Sequence, residues 1–421
     1  MKKLISAFIL ICIAFSFMAC VGKSKKLVVW SFTDELGGYI DNYWKKDFPD
    51  KYEIEYTSTT RAKFSDKLTQ ALESGKGVPD VFALEDSFVR KYIESGPEYL
   101  LDLTDIYNEI KDAVYNYPAQ IASYNGRVYG LAWQVTPGAV FYRRSLAKKY
   151  LGTDDPDEVQ KYLANWNKFM ETAALIKEKS NGKCCITSSS QDDLFRPYAS
   201  TRAKPWVVDG KLYVDRRMEE YMDLCKVMYE NGYAAQILQT DAVRTAGIKG
   251  TLMDENGKPV ECFSFFLPTW GLHYFLKARA PETSGDWAVC QGPVSYHWGG
   301  TWIAAYKGTK NPKAAKELIK YFAADPAFLE RLANDTGDVV SNKNVVNKIK
   351  DSYSEPFLGG QNHYAAFANM VDNINGSLTQ GSDQAIETLF SECVTAYIKG
   401  EKTKAAALTT FKQQVAETLG Y

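Results

Sequence analysis

The chain has almost no net charge, very little histidine, and none of the common motifs of bond-making chemistry. Its 50 Lys and Arg are offset by 51 Asp and Glu, a formal net charge of −1. No strong field therefore recruits nucleic acid or anionic lipid. The three histidines, His273, His297 and His363, are isolated from one another. No C-x-x-C pair has the spacing of a structural metal site, so neither a metal nor a cofactor is expected. No G-x-S-x-G elbow is present for a serine nucleophile. The stretch Phe32-Thr33-Asp34-Glu35, after the first expected strand, lacks the closely spaced glycines of a dinucleotide loop, which argues against a Rossmann dehydrogenase. Beyond the first twenty residues, no segment is apolar enough to cross a membrane as a helix. Aromatic residues are plentiful instead, with 27 Tyr and 9 Trp. Their flat apolar faces and polar edges suit sugar rings, and equally suit a tyrosine-rich core.

The first twenty residues have the layout of a bacterial secretory signal. Lys2 and Lys3 precede an apolar run from Leu4 to Met18, and Ala19-Cys20 closes it. That run is short for a bilayer-spanning helix. Ala19 before Cys20 resembles a lipobox, although Phe17 and Met18 depart from the common pattern. In that reading residues 1–19 are removed, Cys20 is lipidated, and 20–25 form a tether to the membrane. The competing reading is an ordinary signal, or an uncleaved anchor, that happens to contain a cysteine. Six cysteines follow: Cys184, Cys185, Cys225, Cys262, Cys290 and Cys393. Export permits disulfides, but spacing does not reveal pairing.

The mature chain opens as alternating strand and helix. Leu27–Trp30 reads as a strand buried on both faces, with Trp30 in the core. A helix follows from about Glu35 to Lys46, capped by Thr33 or Asp34. Glu53–Tyr56 alternates as a second strand, Ala62–Ser74 is a second helix, and Val81–Leu84 is a third strand. This order implies right-handed crossovers and a mostly parallel α/β sheet. Such sheets bind ligands beyond the carboxyl ends of their strands. That rule selects Ser31–Glu35, Thr57–Arg61 and Glu85–Phe88.

Several stretches resemble bacterial extracellular sugar-binding proteins, the maltose-binding-protein-like receptors of ABC importers. They are Val29–Phe32, Ala71–Phe82, Leu100–Thr104, Tyr124–Gly130, Val140–Arg144, Asn165–Phe169 and Pro293–Ala324. Their order and spacing are more specific than any one of them. The resemblance implies a two-lobed periplasmic-binding fold of type II, each lobe built from two pieces of chain. Lobe one would comprise 26–133 and 290–337, and lobe two 134–289 and 338–421. The hinge crossings would lie near Trp133-Gln134, Cys290-Gln291 and Asp338-Val339.

A neutral sugar needs aromatic platforms surrounded by amides, carboxylates and Arg. The first-lobe candidates are Phe32, Asp34, Glu35, Glu85 and Asp86. The acidic groups equally suit helix starts, where negative charge is favoured. In the second lobe, Trp270 in Leu267–Gly271 resembles the family's stacking segment. Trp298 and Gly300 sit beside the expected cleft, while Trp302 reads as core. The polar stretch Ser188–Arg196 adds Asp193 and Arg196, and the turn Gly359–Asn362 adds Gln361. The resemblance implies a sugar- or oligosaccharide-binding lipoprotein. It would be monomeric, exported and membrane-anchored, working with ABC permease subunits and without nucleic acid. The first-lobe residues differ from those of the maltose receptor, so maltose is not transferred. Two alternatives stand. One is the same fold holding a polyol, peptide or phosphorylated polyol. The other is an exported glycoside hydrolase using a pair such as Asp34 with Glu85, or Asp86 with Asp193.

Overall fold

The computed structural model describes residues 25–421, so the expected signal, Cys20 and most of the tether lie outside the described residues. Strands β1 (Lys25–Ser31), β2 (Tyr52–Ser58) and β3 (Val81–Glu85) are parallel, in the order β2-β1-β3. The strand Thr301–Ala305 joins β3 antiparallel, and Leu131–Ala132 closes the far side. One strand of five is therefore reversed. Val81 to Leu84 are fully buried, as a run of apolar residues demands. β1 differs from expectation: Leu27 and Val29 are buried, while Val28 and Trp30 are only half-covered. Trp30 carries the Lys67 ammonium 4.1 Å from its ring centroid and is not a core residue.

The second lobe repeats this plan with residues distant in sequence. Pro137–Arg143 pairs antiparallel with Ser264–Pro268 on one side and Trp287–Cys290 on the other. Glu261–Cys262 runs parallel to Cys184–Cys185, and Thr187–Ser189 parallel to Ala234–Gln236. Again one strand is reversed among parallel neighbours. In both sheets the reversed strand is the one entered after the chain passes between sheets. The first passage leads from Leu131–Ala132 to Pro137–Arg143, and the second ends at Thr301–Ala305. A third segment lies beside the first passage: Val135 donates to the Val339 carbonyl and Ser341 to that of Trp133, both at 2.8 Å. Strand periodicity sorts side chains between cores. Val140 and Tyr142 join one hydrophobic cluster, Ala139 and Phe141 the other.

The helices follow their local signals, with two differences. Pro312–Ala324 buries Ala314, Ala315, Leu318, Ile319 and Phe322 along one face, as its periodicity predicts. Asn165 caps Trp166–Ser180 by accepting the Lys168 amide at 3.0 Å. The first helix, however, is α over Glu35–Tyr39 and turns π-helical over Ile40–Trp44. Asp34 occupies its N-cap position without capping it, because its carboxylate accepts the Ser58 hydroxyl instead. All six described cysteines are buried free thiols.

Candidate ligand-binding cleft

A cavity of about 810 Å³ opens where the two sheets present their strand ends to each other. The three stretches selected by the strand-end rule all reach it, through Phe32, Thr33 and Glu35, through Arg61, and through Glu85, Asp86 and Ser87. Helices beginning at those ends aim their first turns inward. Glu85 is an N-cap, accepting the Ser87 amide at 3.1 Å.

The aromatic wall is built by Trp270, Trp298 and Phe275. Trp270 meets Trp298 edge to face, with centroids 5.4 Å apart and planes at 66°, and lies 5.5 Å from Phe275. Its indole N–H donates to the Trp298 carbonyl at 2.9 Å. Gly299 and Gly300 have φ of +74° and +119°, and a Cβ on Gly299 would lie 2.8 Å from Trp270 Nε1. The glycine pair thus exists for backbone conformation and for close approach of the indole. Arg244 stacks on both Phe275 and Trp298, at 4.6 and 5.1 Å.

Polar groups surround this wall. Glu35 accepts the hydroxyls of Tyr39 at 2.9 Å and Tyr274 at 3.1 Å. Burial pushes its carboxyl above the ordinary range, against those two donors. Burial and neighbouring Asp86 push Glu85 up, opposed by Arg61 at 3.3 Å. Burial alone would raise Asp86 too, but His297 at 3.4 Å and the Gly299 amide at 3.2 Å hold it below its usual value. Burial lifts Asp192 to about 6. Arg196 pairs with Glu387 at 3.2 Å.

Eight expected residues line the cavity: Phe32, Glu35, Glu85, Asp86, Arg196, Trp270, Trp298 and Gly300. Three do not, and each has a local reason. Asp34 is turned to Ser58. Asp193 is buried and held by Thr187, by Ser188 at 2.9 Å, by the Ser189 amide at 3.0 Å and by Gln239 at 2.7 Å. Gln361 bridges the backbone of Val289, accepting at 2.8 Å and donating at 2.7 Å. Trp302 is core, 1% exposed, its N–H on the Pro118 carbonyl. The sequence reading missed Gln134, Gln191, Gln239, Arg244, Tyr274 and the helix Asp383–Ile398, which sends Gln384, Glu387 and Ser391 into the cavity. Two had a signal: Gln134, named at the first crossing, and Gln191, inside the polar stretch Ser188–Arg196. Among the described residues no group of His, Cys, Asp or Glu is arranged to hold a metal ion. His363 is spent on the Gly337 carbonyl at 2.7 Å.

Asp338, where the third segment meets the first passage, is 5% exposed. Burial, then the charge of Glu35, raises its carboxyl to about 7. The folded state therefore keeps a proton that the unfolded chain releases near pH 4, and stability falls as pH rises from there to about 7. Asp338→Asn is expected to melt higher than the parent at pH 8, by an effect on the order of a few kcal/mol, and to match it at pH 4. Melting curves at the two pH values check this; equal curves at pH 8 would remove Asp338 as the titrating group.

The comparisons place this architecture among known proteins. Residues 39–356 match the bacterial extracellular solute-binding protein family. The arabinooligosaccharide-binding protein of Bacillus subtilis (strain 168) is 22% identical over 380 residues, 84% of this chain and 83% of that protein. The lactose-binding protein of Rhizobium radiobacter is 22% identical over 386 residues, 86% and 87% of the two chains. A solved structure of an extracellular solute-binding protein of family 1 superposes with a TM-score of 0.79 at 20% identity, covering 93% of this chain and 99% of the other. With three quarters of its length matched and the same two-lobed fold, the chain belongs to the bacterial extracellular solute-binding proteins.

Proposed function

We propose that the protein is the substrate-binding receptor of an ABC importer, capturing a neutral sugar or oligosaccharide between its lobes and delivering it to a membrane permease. The observation that supports this most is the wall of Trp270, Trp298 and Phe275 beside Gln134, Gln191 and Gln239 in one cavity. Flat apolar faces match the C–H side of a pyranose, and planar amides match its hydroxyl rim. The cavity volume of about 810 Å³ leaves room for more than one sugar ring. Two relatives are named for saccharides, an arabinooligosaccharide and lactose. The lining carries seven carboxylates, from Glu35 to Glu392, against Arg61, Arg196 and Arg244. That balance disfavours anionic solutes such as phosphorylated polyols.

The eight expected residues on the cavity are the proposed ligand contacts, with no catalytic group among them. Neither carboxylate pair considered for a hydrolase has both members on the cavity, since Asp34 and Asp193 are turned away. Lobe segments 26–133 with 290–337, and 134–289 with 338–421, would rotate about the passages described above. The receptor would act as a monomer, exported and held by lipid on Cys20. Cys20→Ser is then expected to leave the protein unprocessed or released in cell fractionation; a cleaved Cys20→Ser product still retained on membranes would remove the anchor.

A thermal-shift screen tests the ligand class. Arabinotriose or lactose at millimolar concentration is expected to raise the melting temperature, because a ligand held only by the native state stabilises it. If only charged peptides or anions do so, the saccharide assignment falls.

A further inference from the structure

The main cavity has a smaller neighbour of about 60 Å³, and the two share Asp86, Ser87, Arg196, Gln384 and Glu387. The common wall therefore contains the Arg196–Glu387 ion pair. Beyond it lie His297, Arg202 and Asp383. This small chamber gathers an unusual set of atoms. Asp86 Oδ1, His297 Nδ1, Arg202 Nη1 and Asp383 Oδ1 are all buried and have no hydrogen-bond partner in the protein. Asp86 and Arg202 are only 8% and 7% exposed. Buried polar groups are ordinarily paired, so four orphans around one chamber point to something that enters it.

Each of these side chains is oriented by another of its own atoms. Asp86 Oδ2 accepts the Gly299 amide at 3.2 Å. His297 Nε2 lies 3.4 Å from Asp86 Oδ1, within ion-pair distance but without hydrogen-bond alignment. Arg202 Nε donates to the Ala199 carbonyl at 2.9 Å, and its Nη2 is 3.9 Å from Asp383 Oδ2. Asp383 Oδ2 accepts the Gln380 amide at 3.1 Å. The atoms left over are two acceptors, one donor, and one imidazole nitrogen whose role depends on its tautomer.

The chemistry of that set narrows the occupant. Three carboxyl side chains, Asp86, Asp383 and Glu387, face two guanidinium groups, Arg196 and Arg202. Neither an anion nor a cation is favoured by so balanced a lining. A hydroxyl both donates and accepts, so neighbouring hydroxyls can satisfy acceptors and donor together. At about 30 Å³ per water molecule, the volume is the room of roughly two. That suits a hydroxylated arm and is too small for a further ring.

We propose that this chamber is a subsite for the uncharged, hydroxylated end of the bound saccharide, a vicinal diol or hydroxymethyl arm, recognised by Asp86, Arg202, His297 and Asp383. It rests on the reading that the main cleft holds a sugar, and adds where one end of that sugar is held. Asp86 and His297 belong to the first-lobe side and the intersheet passage, while Arg202 and Asp383 come from the second lobe. The arm therefore contacts both lobes, and its stereochemistry decides which terminal sugars let them close around it.

Two measurements on the mature chain test this. Crystals grown with arabinotriose, and separately with lactose, are expected to show sugar oxygens within hydrogen-bond distance of at least two of the four atoms. Calorimetry with the same sugars is expected to show Asp383→Asn binding about tenfold more weakly, with the melting temperature of the free variant not lowered. A sugar confined to the main cavity, with only water in the chamber, overturns the subsite and leaves saccharide capture standing. Unchanged affinity in Asp383→Asn also overturns it. Failure of both sugars, and of every other saccharide screened, to bind the parent overturns the subsite together with the reading it rests on.

Discussion

Replacing Trp270 with alanine is expected to weaken saccharide binding about 100-fold while the free protein stays folded. The indole lines the cavity, is half-buried, and is braced by Phe275 and Trp298. Removing it takes away on the order of 100 Å² of apolar platform, about 2–3 kcal/mol at the usual transfer coefficient. That is one to two decades of affinity. A further loss comes indirectly. The Trp270 N–H holds the Trp298 carbonyl, so without it Trp298 and the Arg244 guanidinium stacked on it lose a fixed neighbour. Trp270→Phe keeps a smaller flat face and loses the donor, and should fall between the parent and the alanine variant. Calorimetry with the sugar selected by the thermal screen measures both. Unchanged affinity in Trp270→Ala would make the residue a mere spectator, and a collapse of the free protein would make it a core residue.

Gly138→Ala should have the largest effect on folding of any single methyl added near the cleft. Gly138 is paired with Tyr296 across the antiparallel register of Pro137–Arg143. A Cβ there would lie 2.0 Å from Tyr296 Cζ, and that ring is only 1% exposed. The ring is packed within a hydrophobic cluster, and Tyr296 leads directly to His297 and Trp298. Overpacking ordinarily costs about 1–3 kcal/mol, and here about 3 kcal/mol or more is expected. The readouts are soluble yield and melting temperature. Gly38→Ala is the matched control, since nothing lies within 4 Å of its added Cβ and its helical backbone accepts alanine. It should stabilise by roughly 0.5–1 kcal/mol. If both variants melt alike, the close contact at Gly138 is not a constraint on the fold.

Much of the cleft was legible because strand ends are a local property. Alternation of strand and helix located the ends of β1, β2 and β3, and the residues just after them do line the cavity. Phe32, Glu35, Glu85 and Asp86 follow from that rule alone. Errors arose where a single residue of helical phase decides the outcome. Consecutive positions on a helix point about 100° apart. At the start of the helix Asp192–Ala199, Asp192 faces the cavity while Asp193 turns back to Thr187 and Ser188. Glu35 and Asp34 divide in the same way. Composition permits either member of each pair, and packing selects one.

The remaining contributors needed the tertiary structure because their partners lie far away along the chain. Glu387 meets Arg196, the Ser391 carbonyl accepts the Gln191 side-chain amide at 2.9 Å, and Tyr274 reaches Glu35. Separations of about two hundred residues leave no periodicity to read. What the sequence determined by itself was the alternation of strand and helix, the strand ends that it places, and the lack of a motif for bond making. Periodicity and turn chemistry act over a few residues and reach no further; that Trp270, Trp298 and the Gly299-Gly300 pair belong beside those ends was implied by the resemblance. Which carboxylates face the cleft, which are turned into the protein, and where four buried polar atoms surround one small chamber were decided only by packing, because distant side chains compete for the same space and the same hydrogen bonds.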